Sequence, residues 1–101
     1  MILVRTVFQT EWGKSTELAA RMVEFEKTMR HEFGDGVRRI RILTDLSGPF
    51  HTIVQEIEVE SLEEWKRGLA KLFAHPKFRE YAAATRNMMV NCRRELYTLH
   101  N

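Results

Sequence analysis

The chain has 101 residues, 44% of them hydrophobic and 30% charged, with a formal net charge of +2. This is the size and make-up of one ordinary soluble domain, and its 16 basic residues are interleaved with 14 acidic ones, which leaves no basic footprint for nucleic acid. The lone Cys92 rules out an internal disulfide or multi-cysteine metal site and fits a reducing, cytoplasmic setting, and the apolar run 1–5 is too short for a signal peptide or a membrane span.

Residues 2–9 are rich in β-branched and aromatic side chains and read as a first strand. Ile2, Val4, Thr6 and Phe8 alternate with Leu3, Arg5, Val7 and Gln9, so both faces are partly apolar, as in a central strand. Residues 12–15 form a connection, with Ser15 the expected N-cap and Glu17 in the first turn of a helix. Apolar residues then recur at Leu18, Met22, Phe25, Met29 and Phe33, in alternating steps of four and three. That spacing predicts a long amphipathic helix. Gly34 supplies a left-handed stop, and Asp35-Gly36 turns the chain onward.

Residues 37–59 alternate with a period of two on either side of the turn formers Asp45, Ser47, Gly48 and Pro49, which predicts a β-hairpin. The expected register opposes Ile42 with Ile53 and Arg39 with Glu56. It gathers Ile40, Ile42, Ile53, Ile57 and Val59 on one face, with His51 and Gln55 among them, and leaves Arg39, Arg41, Glu56 and Glu58 on the other. A slip of one residue would oppose arginine with isoleucine, so the pattern favours this arrangement.

Ser61 followed by Glu64 is a capping box. Leu62, Trp65, Leu69, Leu72 and Phe73 form the inward stripe of the next helix. Pro76 breaks it, because the residue before proline is pushed out of helical geometry and proline suits a first helical position. Phe78, Tyr81, Ala82, Thr85 and Met89 carry the stripe to about Asn91. Residues 93–99 read as a last strand, with Glu95, Tyr97 and Leu99 on one side and Arg94, Leu96 and Thr98 on the other. The order βαββαβ predicts an α+β domain over residues 1–101, a four-stranded antiparallel sheet with helices on one face.

Three stretches carry a resemblance: Ser61-Leu62-Glu63-Glu64-Trp65, Phe73-Ala74-His75-Pro76-Lys77-Phe78 and Arg93-Arg94-Glu95-Leu96-Tyr97. With the element order, they make the whole chain resemble the ferredoxin-like dimeric α/β-barrel superfamily, in particular small NIPSNAP-like and antibiotic-biosynthesis-monooxygenase-like proteins. The resemblance implies a homodimer whose two sheets face each other, and a small organic ligand lodged between sheet and helices. A physical argument points to the dimer independently. The sheet face away from the helices would carry Leu3, Val7, Val54, Tyr97 and Leu99 beside charges, and such a patch marks an interface.

Within the helix-facing space, His51 is the expected acid/base residue, because its ordinary pKa lies near neutrality. Gln55 would orient the ligand, with Trp65 and Tyr81 as walls. The plainer reading leaves His51 half exposed at the strand start and Gln55 bonded to a neighbour. On the charged face, Arg39 and Arg41 are candidates for holding a carboxylate in two-pronged fashion. A self-satisfied ion-pair lattice is weighed above that, since acids and bases nearly balance.

The scattered His31, His51, His75 and His100 lack the spacing of a metal site, and no cofactor is expected. Trp65 and His75 invite comparison with haem-degrading relatives, but Thr6 stands where the first strand would need an asparagine. Cys92 has no neighbouring histidine, and the methionines read as core filler. An RNA-recognition domain shares the element order, but the stacking aromatics are missing. The reading is a small-molecule-binding protein, with cofactor-independent oxygenation or isomerisation as the chemistry the resemblance implies. The alternative is a non-catalytic dimerisation or ligand-sensing module.

Overall fold

Four strands, β1 (Ile2–Thr10), β2 (Val37–Thr44), β3 (Thr52–Val59) and β4 (Met89–Thr98), form one antiparallel sheet in the order β2-β3-β1-β4. Three helices, α1 (Ser15–Met29), α2 (Leu62–Ala74) and α3 (Pro76–Thr85), complete the βαββαβ order, the last two being halves of one broken helix. The computed structural model describes residues 1–32 and 36–100. Phe33, Gly34 and Asp35, assigned above to the end of the first helix and the turn after it, lie outside the described residues. The architecture is ferredoxin-like.

β1 is central because both its faces are apolar enough to be covered and both its edges are paired. Val4 opposes Ile57 and Leu96, and Phe8 opposes Ile53 and Cys92. On the helix side, Val4, Leu18, Met29, Ile53 and Val59 are essentially inaccessible to water. Leu18, Met22, Ile53 and Met88 make one cluster, with Phe8, Ala19, Ile42, Tyr81 and Met89 packed against it. Each such side chain, fully buried, contributes roughly 1.5–3 kcal/mol. Met22, Met29 and Met88 are core residues.

Three local expectations need correction. Helix α1 begins at Ser15 itself, with Lys14 in the N-cap position and no side-chain cap. Gly13, at φ +76°, makes the tight turn that delivers the chain there.

The β2–β3 register differs by two residues from the expected one: Ile42 opposes Gln55, Arg39 opposes Glu58 and Arg41 opposes Glu56. A shift of two keeps every side chain on its face, so alternation could not tell the two registers apart. The turn decides. Asp45 closes the ladder against Thr52, its N–H donating to the Thr52 carbonyl at 3.3 Å and its carboxylate accepting from the Thr52 N–H at 3.0 Å. Residues 46–51 are thereby left in the loop.

Helix α3 ends at Thr85, and after a short turn over Arg86–Met88 the chain is already strand by Met89. Thr10 pairs with Met89, and the ladder shifts register between Gln9 and Thr10. Pairing with β1 thus claims residues whose spacing fitted a helix.

Candidate functional site

The two helical layers cover the sheet differently. Leu18, Met22 and Met29 of α1 are buried, whereas no residue of α2 is. The apolar stripe of α2, with Trp65, Leu69 and Leu72, faces Phe8, Ile40 and Ile57 of the sheet across a cavity of about 260 Å³. Phe25 of α1 and Phe78 and Tyr81 of α3 close its other side. Local sequence explains the placement. Ser61 caps α2, its hydroxyl accepting from the Glu64 N–H at 3.2 Å. His75 then takes an extended backbone, ψ 132°, and its Nδ1 accepts from the Lys77 N–H at 3.1 Å, so the helix restarts at Pro76 on a new heading.

Gly68 lies inside α2 and lines the cavity; a Cβ placed there would meet no atom within 4 Å. Glycine in a helix interior costs about 0.5–1 kcal/mol relative to alanine. Neither steric crowding nor a left-handed backbone requires it here. Its effect is to leave room.

A few polar groups interrupt the apolar wall. Gln55 projects from β3 and makes no side-chain hydrogen bond among the described residues. The Tyr81 ring stacks on Phe25 at 4.3 Å, and burial pushes its hydroxyl pKa up to about 12, so it is a neutral donor at physiological pH. Thr85 donates its hydroxyl to the Tyr81 carbonyl at 2.8 Å. Arg94, on the helix-facing side of β4, donates from Nε to Thr6 Oγ1 at 3.1 Å, and its Cζ sits 5.1 Å from the Trp65 ring centre. The lining carboxylates are engaged by nearby arginines, Glu26 by Arg30 at 3.3 Å and Glu64 by Arg67.

Of the residues singled out in the sequence, Gln55, Trp65 and Tyr81 come together at this cavity. His51 does not. Its backbone turns left-handed, φ 58°, just before β3 starts, and its carbonyl accepts from the Thr10 N–H at 2.8 Å and the Thr10 hydroxyl at 3.2 Å. The ring rests instead against exposed Trp12, with centroids 4.6 Å apart. His75 is likewise outside the cavity lining, at the helix break.

Arg39 and Arg41 lie on the opposite, open face of the sheet. There Arg5 bridges Glu56 at 3.6 Å and Glu95 at 3.2 Å, Arg41 pairs with Glu56, and Arg93 meets Glu95 at 3.5 Å. The Glu95 carboxyl is held below its ordinary pKa, first by the Tyr97 hydroxyl and then by Arg5. Arg39 has no ion-pair partner among the described residues.

Sequence reasoning missed Gly68 and Arg94 as parts of the cavity, and Thr6 as the buried hydroxyl that holds Arg94. One signal for Arg94 was present: it alternates with Leu96 and Thr98, which put a cation on the side of the last strand meant for the helices.

No family model matches the sequence, and no curated protein matches it. Solved structures match it over nearly their whole length. An uncharacterized NIPSNAP domain protein from Burkholderia xenovorans superposes with a TM-score of 0.84 at 13% identity, covering 98% of this chain and 94% of that one. An antibiotic biosynthesis monooxygenase-like protein from Nitrosomonas europaea gives a TM-score of 0.78 at 11% identity, covering all of both chains. SnoaB, a cofactor-independent oxygenase from Streptomyces nogalater, gives 0.73 at 17% identity, covering 99% of this chain and 93% of that one. At such identities the likeness establishes the fold: this chain is built on the ferredoxin-like frame shared by NIPSNAP-domain and antibiotic-biosynthesis-monooxygenase-like proteins.

Proposed function

We propose that the protein binds a small, largely apolar organic molecule between α2, α3 and the sheet, and that it does so as a cytoplasmic homodimer joined through the open sheet face. The cavity kept open by Gly68 is the observation that carries this reading. An apolar cavity of about 150 Å³ already accepts benzene, so about 260 Å³ admits a fused-ring or medium-chain ligand. Apolar walls with a few fixed polar groups are the usual make-up of a small-molecule site. For the dimer, the support is Leu3, Val7, Val54, Leu43 and Tyr97 lying among ion pairs on a face that no helix covers.

The likeness to SnoaB suggests cofactor-independent oxygenation as the chemistry, should turnover accompany binding. A second reading, ligand sensing without turnover, is favoured by the inventory of the cavity. Tyr81, Gln55 and Arg94 are donors there, while both lining carboxylates are already held by arginines. Acid/base work by His51 would need the ligand at the Trp12 end of the sheet.

Gly68→Leu fills the cavity from a position where the new side chain meets no clash at Cβ. Calorimetric titration with naphthalene-2-carboxamide should show binding to the wild type and none to Gly68→Leu, with the variant at least as stable. Equal binding by both proteins would place the ligand elsewhere and sink the reading.

A further inference from the structure

We propose, building on the cavity reading above, that the ligand is an apolar molecule ending in a carboxylate, anchored by the terminal nitrogens of Arg94. Most arginines of the sheet are spoken for: Arg5, Arg38, Arg41 and Arg93 each have a carboxylate partner. Arg94 has none among the described residues, although it lines the apolar cavity beneath α2. It is nonetheless held in place. Its Nε is committed to the hydroxyl of Thr6, a buried residue of the central strand, and its Cζ sits over the Trp65 ring of α2 at 5.1 Å from the centre.

The hydrogen bond draws on Nε alone, and neither Nη group has a hydrogen-bond partner among the described residues. A pair of parallel N–H donors fits the two oxygens of a carboxylate. Because the fork is already oriented, little freedom is lost when an anion docks. The carboxylates that could otherwise neutralise it from the cavity wall, Glu26 and Glu64, are taken up by Arg30 and Arg67. Arg94 is exposed, so it stands at the cavity rim, where an anionic end can stay partly hydrated while the apolar body enters. Arg86 also reaches the lining without an acidic partner among the described residues, but no hydrogen bond or aromatic ring fixes its direction there. It is the natural control.

The test uses two matched pairs, naphthalene-2-carboxylate with its carboxamide and octanoate with octanamide, titrated calorimetrically into the wild type, Arg94→Gln, Arg94→Lys and Arg86→Gln. The expected result is a preference of about tenfold or more for the acid over the amide in at least one pair, the size of a charge-assisted two-pronged contact. Arg94→Gln should abolish that preference, the acid losing more affinity than the amide, Arg94→Lys should keep part of it, and Arg86→Gln should retain it. Amide binding without any preference, a preference that survives Arg94→Gln, or one lost in Arg86→Gln overturns the anchor and leaves the cavity reading standing. Failure of the wild type to bind any of the four overturns both.

Discussion

Two residues of the cavity wall, Gly68 and Tyr81, make the site testable without knowing its ligand. Gly68→Ala adds a methyl group into open space and removes the helix penalty of glycine. It should raise unfolding free energy by about 0.5–1 kcal/mol in a urea titration; a loss of stability would mean the cavity is not open there. Tyr81 has a folded-state pKa pushed up to about 12 by burial, against 10 for an exposed tyrosine. A raised pKa means that the unfolded chain loses its proton first as the solution is made alkaline. The stability that Tyr81 contributes is therefore intact below pH 10 and falls between pH 10 and 12, by at most about 2–3 kcal/mol. Wild type and Tyr81→Phe, melted side by side across that range, should diverge, with the phenylalanine variant losing less. His51 shows the opposite lesson. Its parity with Gln55 was legible in the sequence, but a left-handed backbone at φ 58° cancels parity, and no local pattern announces such a turn at a histidine.

Among the elements, those with strong local signals formed where their residues indicate. The Ser61 cap and the break at Pro76 rest on chemistry within a few residues of chain, and both are present. Ser61→Ala should cost about 1 kcal/mol and Ser61→Asp little, as read from chemical denaturation midpoints; equal midpoints for all three proteins would show that the cap contributes nothing. The elements that went differently depended on distant partners. The register of β2 on β3 turned on Asp45 bonding to Thr52, a choice between two arrangements with identical faces. The start of β4 turned on pairing with β1, which claims residues 89–92 for the sheet although the helical spacing ran on to about Asn91. The stripe of helix α2 points inward as the spacing indicates, and Trp65, Leu69, Leu72 and Phe73 border a cavity there.

Taken as a chain with two unlike sheet faces, the molecule has one covered by α1 and the halves of the broken helix and one left open. The open face combines an ion-pair lattice with Leu3, Val7 and Val54, which a second copy would bury. Val7→Asp, at the centre of that face, should shift the protein from dimer to monomer in analytical ultracentrifugation, with the far-ultraviolet circular dichroism spectrum kept. A wild-type chain that sediments as a monomer at micromolar concentration would remove the dimer and leave the cavity untouched, because the cavity lies on the other side of the sheet.

Residue order was enough to settle the βαββαβ succession, the two faces of the hairpin, the helix break and the apolar character of the covered side. Each follows from periodicity or capping, which act over a few residues. Folding in three dimensions settled the rest: the ladder register, the early start of β4, the exit of His51 from the sheet face, and the meeting of Gly68, Tyr81, Trp65 and Arg94 around one space. The first three turn on strand pairing and on one loop conformation, and the last on how far α2 stands from β1 and β3, a distance fixed by packing among residues far apart in the chain; no spacing along it encodes either.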